Sequence, residues 1–290
     1  VAIVAVSSHE HVERFRAEGF AVARGLFDRA TMAEVAAEAK LVHTAGMAHH
    51  TTWRHRNLLF EILPEDHGGR RHLLQAHWFA WISPFFERFR RDPRWFQLLE
   101  PLLGRDIRQI AQQIHWKPPG AELTGYRYHQ DMRFRDPTAG PELVDATVTV
   151  GLAIDPATTA NGCLMVAPGS HRLGYLGLSD DGPLMKGETG EDELRRAGVD
   201  PGALHAVELA PGDVVLWGLL TVHGSAANRS DRDRAFAISS YVRADATDRG
   251  EWAFRDGEPV PLGPEPNLCK YADLHVRPGP FHIDDPWYRD

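Results

Sequence analysis

Between positions 106 and 245 the chain breaks into short runs rich in β-branched and aromatic residues. Each is closed by a proline- or glycine-bearing turn, and no helical pattern lies between them. Ile107–Trp116, Ala146–Ile154, Cys163–Val166, Ala203–Leu209, Val214–Trp217 and Ala235–Val242 are predicted strands. Pro118-Pro119-Gly120, Ala167-Pro168-Gly169-Ser170 and Pro211-Gly212-Asp213 are predicted turns. A parallel sheet needs long crossovers, usually helical, between successive strands. Their lack points to a mainly β sandwich or barrel.

The flanks differ from this core. Residues 1–105 read as mainly helical: His11–Arg24 mixes apolar and charged positions, and Asp28 is placed to cap the Ala- and Glu-rich run Arg29–Val42. From His72 to Leu103 an aromatic-rich amphipathic pattern runs through Trp78, Phe79, Trp81, Phe85, Phe86, Phe89, Trp95 and Phe96, which at this spacing reads as core. Ser179–Gly202 is polar and reads as a surface insertion. Residues 246–290 form a Pro-, Gly- and charge-rich tail without periodicity, and its Trp252, Phe254, Tyr271, Phe281, Trp287 and Tyr288 make it a candidate lid. The expectation is one domain over 1–290.

An apolar share of 43% can bury a core without staples. The net charge of −8 argues against nucleic acid as the main partner. No run approaches membrane-spanning length, and Val1–Val6 is too short for a signal segment. Of the two cysteines, Cys163 lies in an apolar run and reads as a buried core residue. Cys163 and Cys269 make no disulfide framework, so a reducing cytoplasm is the expected compartment. The chain opens on Val, so the native start is expected upstream.

The chemistry-bearing residues sit within the β region. His129 and Asp131 are two apart, and on an extended segment both side chains leave the same face, roughly 6–7 Å apart at the backbone. A carboxylate with imidazoles suits Fe(II) better than a thiolate site would. With 16 histidines in the chain a His-x-Asp triplet carries little weight alone, and His282-Ile283-Asp284 is a second. Order separates them. Downstream of Asp131 come strands, then His223 in Thr221-Val222-His223-Gly224-Ser225, then Arg234 eleven positions later (234 − 223 = 11). The pairs His43/Arg54 and His77/Arg88 share that offset but precede the triplet, in the helical zone. His129, Asp131 and His223 are thus the candidate metal ligands. Arg234, with its planar fork, is the candidate clamp for the distal carboxylate of 2-oxoglutarate.

These residues resemble the phytanoyl-CoA dioxygenase family of Fe(II)/2-oxoglutarate oxygenases. The resemblance also rests on Gly19–Phe27, Lys117-Pro118-Pro119-Gly120, Asn161–Arg172, Pro211-Gly212-Asp213, and His223-Gly224-Ser225 with Asn228, in order from about residue 12 to 245. It implies a double-stranded β-helix (jelly-roll, cupin-like) core with flanking helices. It implies Fe(II), 2-oxoglutarate and O2 as the reacting set, with 2-oxoglutarate split to succinate and CO2 while a C–H bond of a small-molecule substrate is oxidised. It further implies that Gln113 faces the co-substrate and that Ser225 adds a hydroxyl to the distal carboxylate. The family's halogenating relatives lack the carboxylate ligand, so Asp131 favours hydroxylation or another oxidation over halogenation.

Arg127, Arg133 and Arg135, with Lys117, read either as solvated charge or as contacts to an acidic group of the substrate. His171 is a weaker substrate-contact candidate, and Trp217 reads as packing. Two other readings stay open. One is a metal-dependent isomerase or hydrolase on a cupin-like barrel without 2-oxoglutarate, which leaves Arg234 without a task. The other is a silent binding module, whose signature would be a lost ligand.

Overall fold

The computed structural model describes residues 8–63, 71–121, 124–135, 141–181, 189–268 and 273–283. Its strands in chain order are β1 (Phe20–Ala23), β2 (Trp53–His55), β3 (Leu58–Leu63), β4 (His72–His77), β5 (Ile107–Lys117), β6 (Tyr126–His129), β7 (Thr147–Ala153) and β8 (Leu164–Val166). They continue with β9 (His205–Val207), β10 (Val214–Gly218), β11 (His223–Ser225), β12 (Arg234–Arg243), β13 (Glu251–Arg255), β14 (Glu258–Pro259) and β15 (Phe281–His282). The larger sheet runs β1-β10-β7-β12-β5-β4-β3-β2-β15, with β13 also on β5. The smaller runs β6-β11-β8-β9, and every pairing is antiparallel. The two sheets face each other as a jelly roll, the mainly β fold expected.

Alternation along the strands sorts the two cores. On β7, Val148, Val150 and Leu152 join Val214 and Leu216 of β10 and Ala235 of β12 against the helices α2 (Arg29–Met47) and α4 (Pro93–Leu103). The opposite face turns Ala153, Val215, Trp217 and Phe236 toward Val166 and Val207 of the smaller sheet, with Cys163 buried among them. All seven residues of β7 are buried, as in any strand covered on both faces. Gly151 is required here: a Cβ on it would lie 2.4 Å from the Phe236 ring and 3.0 Å from that of Trp217.

The helical flank holds α1 (Ser8–Glu18), α2, α3 (Pro84–Phe89) and α4, each of the last three capped by a side chain, Asp28, Ser83 and Asp92. It departs from expectation in also carrying β1 to β4. Leu58–Leu63 is nearly all buried, and a short continuous apolar run does not distinguish strand from helix. The pattern from His72 begins as a strand on β5 rather than a helix. Its aromatics are core as expected, with Trp78, Phe79, Phe86 and Trp95 buried.

Part of the tail is a strand, where an irregular segment was expected. β13 extends the larger sheet beside β5, and Phe254 is buried against Phe96 on the helix-facing side. Arg90 holds this segment down, donating to Gln109 Oε1 at 2.9 Å, to Val260 O at 3.0 Å and to Trp252 O. The polar insertion packs as well: Leu178, Leu194 and Val199 form a cluster with Ala167 and Val222. Val1–Val6, Cys269, Tyr271, Asp284, Trp287 and Tyr288 lie outside the described residues. Among the described residues, no helix is long and apolar enough to cross a membrane.

Candidate metal centre

β6 and β11 lie side by side with His129 directly opposite His223. Their ring centroids are 4.3 Å apart. One residue beyond Gln130, the one-turn helix Asp131–Phe134 turns the carboxylate of Asp131 into the same space. Each imidazole donates its Nδ1–H to a backbone carbonyl two residues back, His129 to Arg127 O at 2.8 Å and His223 to Thr221 O at 2.9 Å. Those bonds fix the tautomers and leave both Nε2 lone pairs facing Asp131 Oδ1, at 3.7 and 3.5 Å.

The three atoms lie within 4.8 Å of one another, and no other such group occurs among the described residues. Cis ligands with bonds of roughly 2.1 Å sit roughly 3 Å apart, so a cation fits between them with a small contraction. Burial disfavours charge on all three side chains, yet His223, His129 and Arg135 hold the Asp131 carboxyl well below the usual range. Burial and the neighbouring His223 push His129 down to about 3. The Asp131 charge overcomes burial at His223 and draws its pKa up. An ionised carboxylate facing two lone pairs suits a hard divalent cation.

Arg234 opens β12 opposite Lys117 of β5. Its side chain is buried, its Nε has no hydrogen-bond partner, and its guanidinium carbon lies 5.3 Å from the Phe236 ring centroid. Burial pushes its pKa down to about 10. Lys117 is buried too, donating to Ser225 Oγ at 2.6 Å, Ala226 O at 2.5 Å and Gly162 O at 3.4 Å, and burial with the nearby Arg234 lowers its pKa. A buried guanidinium without an ion-paired carboxylate among the described residues could hold an anion, with Lys117 beside it already donating to three oxygens.

Gln113 stands on β5 between Ile238 of β12 and His77 of β4, its Oε1 accepting from His115 Nε2 at 2.8 Å. Ser225 Oγ accepts from Lys117 and keeps its own proton to give. The sequence reading missed a polar wall around them. On β4, His77 Nε2 donates to Gln75 Oε1 at 2.8 Å, and Gln75 Nε2 donates to the Tyr126 hydroxyl at 2.8 Å. Gln75 pairs with His115 and His77 with Gln113, so Gln-x-His recurs on adjacent strands. That repeat was the available signal. Burial, with Arg54 nearby, pushes His77 down to about 3.

Trp217 is more than packing. Its indole N–H donates to Asp131 Oδ2 at 3.0 Å. Arg127 faces Asp181 and Glu193 at 3.5 Å each, and Arg133 donates to Ser179 O at 2.5 Å, so both tie the site to the insertion. Lys117 is buried rather than solvated. His171 Nε2 donates to Arg16 O at 3.1 Å, which binds it to α1.

A family model for Phytanoyl-CoA dioxygenase (PhyH) matches residues 15–236. The ectoine dioxygenase of Halomonas elongata is 29% identical over 202 residues, 64% of this chain and 57% of that protein. A protein of Stutzerimonas stutzeri, a probable alpha-ketoglutarate-dependent hypophosphite dioxygenase, is 32% identical over 163 residues, 54% and 52% of the two chains. The chain thus spans about half the length of these curated relatives. The crystal structure of EctD from S. alaskensis with 2-oxoglutarate and 5-hydroxyectoine superposes with a TM-score of 0.64 at 21% identity, covering 90% of this chain and 88% of that one, a likeness of fold. With a family match over more than half of its length, the chain belongs to the phytanoyl-CoA dioxygenase family.

Proposed function

We propose that the chain is an Fe(II)- and 2-oxoglutarate-dependent dioxygenase that oxidises, most simply hydroxylates, a C–H bond of a small molecule. When bound, iron with 2-oxoglutarate and O2 supplies the oxidising chemistry, releasing succinate and CO2. His129, Asp131 and His223 hold the metal through Nε2, Oδ1 and Nε2. Three ligands leave the remaining positions open, the pattern that oxygen chemistry requires. Arg234 takes the distal carboxylate of 2-oxoglutarate with its fork, Lys117 supplies a second cation beside it, and the Ser225 hydroxyl donates to the same group. Gln113, on the same strand as Lys117, gives its amide N–H to the co-substrate. The sandwich interior around them keeps bulk water away.

One observation carries the reading: a buried guanidinium with no ion-paired carboxylate among the described residues accompanies a convergent His-Asp-His cluster. An isomerase or hydrolase using the cluster alone has no use for that cation. The relatives' names point to small polar substrates, ectoine and hypophosphite among them. An anaerobic titration with Fe(II) and then 2-oxoglutarate tests the reading. A visible metal-to-ligand charge-transfer band that saturates with 2-oxoglutarate is the expected result. Metal uptake without that band would leave the co-substrate assignment without support, and no metal uptake would end the reading.

A further inference from the structure

The two oxygens of Asp131 have different surroundings. Oδ1 faces the Nε2 atoms of the two imidazoles at 3.7 and 3.5 Å, each Nδ1–H being spent on a carbonyl. Oδ2 turns the other way and accepts two hydrogen bonds, from Trp217 Nε1 at 3.0 Å and from Thr149 Oγ1 at 3.2 Å. The Thr149 hydroxyl lies 3.0 Å from Ser240 Oγ, which gives it a second partner and leaves its own proton for Asp131.

Both donors are built into the larger sheet. Trp217 of β10 and Ser240 of β12 flank Thr149 of β7 in register, and the side chains of Trp217 and Thr149 are almost wholly buried. Gly151, two residues along β7, clears the space in which the indole lies. Asp131 itself stands on a single helical turn, which alone gives a carboxylate little rotational restraint.

We propose that Trp217 and Thr149 are positioning residues that commit Asp131 to offering one oxygen to the metal. An unrestrained carboxylate can chelate a cation through both oxygens, and the second bond would occupy a position that the co-substrate or O2 needs. The inference rests on the metal reading above and deepens it. Outer partners of this kind typically change metal affinity by roughly 10- to 100-fold when removed.

The test uses Co(II) as the probe, added to metal-free protein, with affinity and the visible d–d absorption as readouts. Thr149→Val is nearly isosteric and removes one donor, Trp217→Phe removes the other, and Thr149→Ser restores the hydroxyl. Thr149→Val and Trp217→Phe are expected to weaken Co(II) binding by roughly 10-fold or more. They should also change the intensity of the cobalt band, because the coordination number changes. Thr149→Ser should return both to wild-type values, which a merely structural role would not require. The metal-free thermal midpoint of Thr149→Val reports on the fold, and that variant decides the matter if Trp217→Phe fails to fold. Wild-type affinity and an unchanged band in Thr149→Val overturn the inference while leaving the metal reading intact. A wild-type protein that takes up no Co(II) overturns both.

Discussion

Arg234→Met should make the empty protein more stable and, at the same time, poorer at holding 2-oxoglutarate. Burial lowers the Arg234 pKa by about 2–3 units from the usual guanidinium value, to about 10. The group is charged in both folded and unfolded chains below pH 10, so the whole penalty is present at neutral pH and is relieved only as pH rises through 10 toward the unfolded guanidinium's own range. At about 1.4 kcal/mol per pKa unit this is ~3 kcal/mol, of which an apolar replacement should recover about 1–3 kcal/mol once its looser packing is counted. The neighbouring Lys117 would also be relieved of a like charge. In a domain of this size the melting temperature should rise by roughly 2–6 °C. Losing one partner of a buried charge pair costs about 2–5 kcal/mol of affinity, or roughly 30-fold to several thousand-fold in Kd for 2-oxoglutarate. Thermal melts with Mn(II) as the metal probe, under anaerobic conditions, read both numbers. In the wild type, 2-oxoglutarate at 100 times its Kd should add about 2.7 kcal/mol, and the same concentration should add almost nothing to the variant. A variant that melts below wild type without ligand, or that 2-oxoglutarate stabilises equally, would refute the argument that this cation is held in wait for an anion.

Two further substitutions probe the scaffold. Gly151→Ala forces a methyl group into the Phe236 and Trp217 rings and should cost about 1–3 kcal/mol, read as a lower urea midpoint with an unchanged slope; an unchanged midpoint would show that the rings can yield. Arg90→Met orphans Gln109 Oε1 and the carbonyls of Trp252 and Val260, each worth roughly 1 kcal/mol or more, so limited proteolysis should first cut within 251–262. A digestion pattern like that of the wild type would show that other contacts hold the segment.

The longer jelly-roll strands were legible because they end at turns with a physical requirement, whereas the short β6 and β11, which carry the two imidazoles, were not among the predicted strands. Gly120, Gly169 and Gly212 all adopt positive φ, and predicted strand ends fall within a residue or two of those observed for β5, β7, β10 and β12. The strands before residue 105 were less legible. Leu58–Leu63 and His72–His77 are covered on both faces or carry buried polar groups, so neither shows the alternation that marks a half-buried strand. The His-x-Asp, His and Arg stood out through order along the chain; the carboxylate and two imidazoles converge in the fold, and Arg234 is buried opposite Lys117. Trp217 did not, because nothing in Val-Val-Leu-Trp indicates which acceptor the indole will reach. The same holds for Lys117, which looks from the sequence like one more exposed base and is 1% exposed in the fold.

Asp131 is tethered by its outer oxygen to the floor of the larger sheet, whereas both imidazoles belong to the smaller one. A cation seated among the three would therefore act as a rivet through the two leaves of the protein. Such a rivet would join β6 and β11 to β7 and β10 through Thr149 and Trp217.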